Sequence, residues 1–145
     1  MYFVDREKIE KTLIYLEKQI ALFLKAEEWT TPIEKAALER IVQMMIESIL
    51  DAGNAVIDGF IMRDPGSYDD IIEILRDEKV ISVETSITLR KLIPYRKMLV
   101  QMYTEVNHEE LLKEFSSQIQ AIAVFPKNVR DYLTNELGPV SAFKN

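Results

Sequence analysis

The chain has no cysteine, one histidine, one tryptophan, four glycines and five prolines among its 145 residues. Without cysteine there is no disulfide framework and no thiolate metal site. With His108 as the single histidine, zinc motifs such as HExxH and the paired Glu-x-x-His ligands of di-iron bundles are excluded. Neither a metal nor any other cofactor is expected. No Walker loop, GxGxxG or GxSxG sequence occurs. Also absent is an apolar run near the roughly 20 residues that a membrane span requires. The opening MYFVDREKIEK sets acids and bases where a signal peptide needs an apolar core. A soluble, cytoplasmic protein without membrane contact is expected.

What is present is long 3.6-residue periodicity with sparse punctuation, which predicts an all-α single domain over residues 1–145, a bundle of five to six antiparallel helices. The first helix starts at Asp5 as N-cap, buries Ile9, Leu13, Leu16, Ile20 and Phe23, and stops near Glu28. Thr31-Pro32-Ile33-Glu34 is a capping box with proline at the first helical position. From it a stripe of Leu38, Ile41, Met45, Ile49, Ala52, Val56 and Phe60 follows, with Gly53 and Gly59 permitting close packing. Ser67 caps a short third helix with Ile71, Ile72 and Leu75 inward, and Ser82 caps a fourth that Pro94 should kink or break near Arg96. Asn107 and Glu110 open a last long segment, which Pro126 kinks or divides. Gly138-Pro139 ends it, leaving 139–145 as a frayed tail.

The formal charge of -6 and a pI near 4.9 set the whole molecule against polyanions, so any phosphate contact must be local. One window differs. Between Glu84 and Glu105 there is no acid, while Arg90, Lys91, Arg96 and Lys97 are basic. Either neighbouring helices supply the counter-charges, or this is a phosphate site. Within it, RKMLVQMY carries Arg96, Gln101 and Tyr103 in an otherwise apolar run. On a straight helix Arg96 and Tyr103 lie within about 20° of each other, whereas Gln101 points about 140° away. Convergence requires that the helix end or distort there, or that a second copy of the chain contribute across a two-fold interface. His108 and the acidic pairs Glu27-Glu28, Asp69-Asp70 and Glu109-Glu110 sit at helix ends, where dipole and solvation roles suffice. Met44, Met45, Met98 and Met102 read as core or interface filler. Asp51 and Asn54 share a face of the second helix, either to orient Arg96 or as a polar seam that sets helix register.

The Arg-x4-Gln-x-Tyr pattern resembles the Arg-x4-His-x-Tyr signature of the HepT-like branch of HEPN domains. IESILDAGNAVI, PGSYDDIIEIL and VISVETSITLRKLIPYRKMLVQMYTEVNHEEL are similar to the family in order and spacing, so the resemblance covers most of the chain. It implies a dimeric helical bundle of the toxin-antitoxin type that acts on RNA without metal. In active members the histidine helps activate a 2′-hydroxyl and the arginine stabilises phosphate charge, roles that would fall to Gln101 and Arg96. Lys97 stands where the family has Asn, and Pro94 where it has Gly. A glutamine amide accepts no proton near pH 7, so weakened or lost ribonuclease activity is expected, with RNA or nucleotide phosphate held by Arg90, Lys91, Arg96 and Lys97. The resemblance also implies an MntA-like nucleotidyltransferase partner, and makes Tyr103 a candidate AMP acceptor; the alternative for Tyr103 is a buried, satisfied hydroxyl. Two other outcomes stay open: a working ribonuclease, or a purely structural helical dimer.

Overall fold

The computed structural model describes residues 3–138. Six α-helices follow in order: α1 (Arg6–Lys25), α2 (Pro32–Gly59), α3 (Tyr68–Asp77), α4 (Val83–Leu92), α5 (Tyr95–Val100) and α6 (His108–Leu137), with a 3-10 turn at Tyr103–Glu105 before α6. No strand occurs among the described residues. The frayed-tail expectation for 139–145 lies outside them.

The expected caps form. Asp5, Ser67, Ser82 and Asn107 each accept a hydrogen bond from the backbone N–H three residues on, and Thr31 and Glu34 close a reciprocal box. α1 and α2 pack along each other, joined by a turn where Phe23 stacks on Trp29 at 6.2 Å. α1 ends at Lys25, three residues short of the expected Glu28, because Ala26 is already extended. α2 runs through the middle of the molecule, and α1, α3, α5 and α6 all pack on it. Its stripe from Leu38 to Phe60 is buried as expected, and Ile46, Leu50 and Ile57 widen it. Gly53 lets α3 approach: a Cβ there would stand 3.0 Å from both Ile71 and Leu75 side chains. At Gly59 a Cβ would meet the Val4 backbone at 3.1 Å.

Pro94 breaks the helix rather than kinking it. α4 ends at Leu92, and α5 restarts at Tyr95 as a separate six-residue segment. Pro126, by contrast, lies within an unbroken α6, buried beside Phe125. Tyr95 joins α5 to α6 by donating a hydrogen bond to Glu110 (3.2 Å) and by an edge-on contact with Phe115. His108 fixes the start of α6 to α2 through a 2.7 Å contact between Nε2 and Glu39. At the other end of the molecule Arg6 donates to the carbonyl of Gly138. No helix of the described residues is long and apolar enough to cross a membrane.

The turn before α3 is held electrostatically. Arg63 grips Asp70 with two 2.7 Å hydrogen bonds, and the Gly66 N–H adds a third at 2.8 Å. The Arg63 contact first, and then the Gly66 bond, bring the Asp70 carboxyl from its ordinary 3.8 down to about 2. A depressed folded-state pKa contributes stability that is present above 3.8 and lost as pH falls through about 2. Across that window the urea midpoint of the wild type should fall more steeply than that of Asp70→Asn, as followed by circular dichroism.

Candidate functional site

The proline break determines where the motif lies. α5 is so short that Arg96 occupies its first turn and Gln101 its C-cap, with the Gln101 N–H bonded to the Lys97 carbonyl at 2.9 Å. The chain then turns at Met102, and Tyr103 begins the 3-10 segment. The helix therefore does end between Arg96 and Tyr103. Among the described residues no hydrogen bond links the side chains of Arg96, Gln101 and Tyr103.

Arg96 is oriented from two sides. Its Nε donates to Glu47 Oε1 of α2 at 2.5 Å, and its guanidinium carbon lies 4.5 Å from the Tyr68 ring centroid, a cation–π contact from the start of α3. Both members of the ion pair are 24% exposed, so the pair is shielded from much of the solvent screening without being sealed. No described residue hydrogen-bonds either Nη atom. A guanidinium whose inner nitrogen is fixed and whose outer fork is unspent is suited to a phosphate or carboxylate.

The other predicted bases divide. Lys91 and Lys97 are exposed and pair with no described acid. Arg90 is committed across α3, bonding Asp69 (3.0 Å) and Glu73 (3.4 Å), so for this residue the neighbouring helix does supply the counter-charge. Tyr103 is not the buried tyrosine of the alternative reading, for it is 66% exposed. Gln101 is exposed too.

Asp51 and Asn54 lie on α2 beside this site, but neither holds Arg96 by a hydrogen bond. They line a cavity of about 460 Å³ with Lys8, Thr12 and Asp58. Desolvation first, then the neighbouring Glu47 charge, raise the Asp51 pKa, against opposing effects of Lys8 and Arg96. Glu47 and Tyr68, which the structure brings to Arg96, were not singled out from sequence. The signal for Glu47 was its position one turn before Asp51 on the same helix face. Nothing comparable marks Tyr68, whose role depends on how α3 docks. The described residues contain no group of side chains that could hold a metal ion.

The model for the family described as "Ribonuclease HepT-like" matches residues 7–129. The chain belongs to the ribonuclease HepT-like family. The HepT-like chain is 56% identical over 144 residues to "Putative RNase YutE" of Bacillus subtilis (strain 168), covering 99% of this chain and 100% of that one. A solved structure of YutE from Bacillus subtilis, described as a cytosolic protein of unknown function, superposes with a TM-score of 0.95 at 55% identity, over 99% of this chain and 100% of that chain. More distant is the fold of a tri-AMPylated Shewanella oneidensis HEPN toxin in complex with an MNT antitoxin. It has a TM-score of 0.71 at 17% identity, and the match covers 86% of this chain and 95% of that one. A mutant MntA toxin-antitoxin complex gives 0.75 at 14% identity, over 85% and 98%. At those identities the likeness shows that the HepT-like bundle shares their all-helical fold.

The Glu47 contact gives a test of how firmly Arg96 is held. Glu47→Ala should cost about 1–3 kcal/mol in urea denaturation, since a half-shielded guanidinium loses its charged acceptor, and Glu47→Gln should cost less.

Proposed function

We propose that this HepT-like chain is an RNA-binding domain of the toxin-antitoxin type, which holds a backbone phosphate on Arg96 and has a weakened ribonuclease activity. The observation that carries the reading is the state of Arg96, fixed at Nε by Glu47 and over Tyr68, with its outer fork unspent. Lys97 on α5 and Lys91 near the end of α4 add positive charge that no described acid pairs. In the ribonuclease reaction, a 2′-hydroxyl oxygen attacks the adjacent phosphorus and the 5′-oxygen leaves. A base must take the hydroxyl proton while positive charge steadies the phosphoryl oxygens. Arg96 meets the second need. At the position where the family carries a histidine, Gln101 can hydrogen-bond a ribose or a base edge but cannot take the proton.

The active assembly in this reading is a two-fold dimer in which the motif faces its copy across a cleft. Exposed apolar side chains support it: Val100 and Met102 within the motif stretch, and Val83 and Ile87 on the outer face of α4. Labelled single-stranded RNA with the wild type, Arg96→Ala and Gln101→His separates the outcomes. Wild type should bind and cleave slowly, Arg96→Ala should bind at least about tenfold more weakly, and Gln101→His should cleave about 10²-fold faster or more. Robust wild-type cleavage that Arg96→Ala abolishes would establish a working nuclease. Absence of binding in every variant would leave a structural dimer.

A second reading concerns Tyr103. Its exposure, and the AMPylated HEPN toxin among the structural neighbours, support it as an AMP acceptor for an MntA-like nucleotidyltransferase. Mass spectrometry after co-expression with such an enzyme should find one AMP on wild type and none on Tyr103→Phe; an unmodified wild-type chain removes the reading.

A further inference from the structure

The sequence window around Arg96 is not the only place where positive charge gathers. On α1, Lys11, Lys18 and Lys25 recur every seven residues, which on a helix keeps them within about 40° of one another over a length of about 21 Å. Lys8 lies about 60° to one side, and Tyr15 and Leu22 fall between the lysines on the same face. All six of these side chains are exposed.

A lysine face on a surface helix is usually balanced by acids one turn away, and here only Lys11 is. α1 carries three acids, and two of them, Glu10 and Glu17, are drawn to the opposite flank by Arg130 of α6. That guanidinium bonds Glu10 at 2.7 Å and Glu17 at 2.8 Å. The third, Glu7, reaches Lys11 at 3.5 Å in an exposed pair of little energetic weight. Lys8, Lys18 and Lys25 form no ion pair with a described acid. The Arg130 clamp therefore sorts the charge of α1 by side, in a chain that is -6 overall.

The Lys8 end of this face lies near the motif, since Lys8 and Arg96 both act on the charge of Asp51. Lys8 and Thr12 line the cavity of about 460 Å³ together with Asp5, Asp51, Asn54 and Asp58. Beyond Lys25 the surface turns acidic, with Glu27, Glu28 and Glu34 around Trp29, which bounds the basic stretch at that end.

We propose that the outer face of α1, Lys8-Lys11-Lys18-Lys25 with Tyr15, is a secondary binding track that carries the backbone of a single-stranded RNA away from the Arg96 site. The proposal rests on the reading of Arg96 as the RNA phosphate site. Lysines spaced along one edge with an aromatic ring between them suit a flexible phosphate backbone whose bases can stack. A membrane surface fits less well, because the apolar stripe of α1 from Ile9 to Phe23 is spent in the core and its outer face offers only scattered apolar side chains.

The test uses the full chain and two fluorescent single-stranded RNAs, one of about four nucleotides and one of about twenty, read by anisotropy across a salt series. The combined variant Lys11→Gln, Lys18→Gln, Lys25→Gln should weaken binding of the long RNA at least about tenfold and flatten its log–log salt slope by about 2. Binding of the short RNA should be unchanged, the matching Lys→Arg triple should restore the long one, and Lys127→Gln on α6 should have no effect. If the Gln triple binds the long RNA like wild type while Arg96→Ala does not, the track is wrong and the Arg96 reading stands. If wild type binds neither RNA, both fall. Loss in the Gln triple of binding to phosphatidylserine vesicles, with RNA binding intact, would assign the face to a membrane and overturn the track.

Discussion

Burial of one helix organises this molecule. α2 is 28 residues long, and its apolar side from Leu38 to Val56 is closed over by α1, α3, α5 and α6. None of the shorter helices could hold its place alone, since an isolated helix of ten residues is marginal in water and gains its stability from packing. The side of α2 that meets α5 carries Glu47, and its next turn carries Asp51. The helix that supplies the core therefore also supplies the acid that holds Arg96. The glycine at 53 serves the same end, for it brings α3 close enough that Tyr68, at the start of α3, reaches the Arg96 guanidinium.

Arginines are used in two ways. Arg63, Arg90 and Arg130 are clamps whose forks are spent on acids of a neighbouring segment, pinning turns and helices in place. Arg96 spends one nitrogen on Glu47 and keeps the rest. This difference, more than the net charge of the window, separates Arg96 from the arginines whose forks are spent on neighbouring acids. Charge counted along the sequence treats Arg90 and Arg96 alike, because the acids that satisfy Arg90 come from α3, some twenty residues away in the chain.

Much of the fold was legible because its signals are local. An N-cap side chain bonds a backbone group three residues away, so Asp5, Thr31, Ser67, Ser82 and Asn107 could be read directly. The family was legible through the resemblance of the motif and its flanking blocks, and the chain belongs to it. The break at Pro94 was one of two stated outcomes, and the buried Pro126 inside an intact helix shows why such a choice is hard. The lost hydrogen bond is the same in both, and the surrounding packing decides whether the helix survives it. Glu47 and Tyr68 were missed, since each depends on which helix lies against which.

By itself the sequence determined an all-helical chain, the starts of its helices and the residue types at the motif, including a glutamine that cannot act as a base. Those features depend on backbone geometry within a turn or two. Tertiary structure alone decided that Arg96 is held by Glu47 and Tyr68 with its outer nitrogens left over, that Arg90 is consumed, and that Arg130 draws two of the three acids of α1 away from its lysines. Each is a matter of Coulombic and hydrogen-bond partners brought together from distant parts of the chain, and proximity of that kind is produced only when the helices pack.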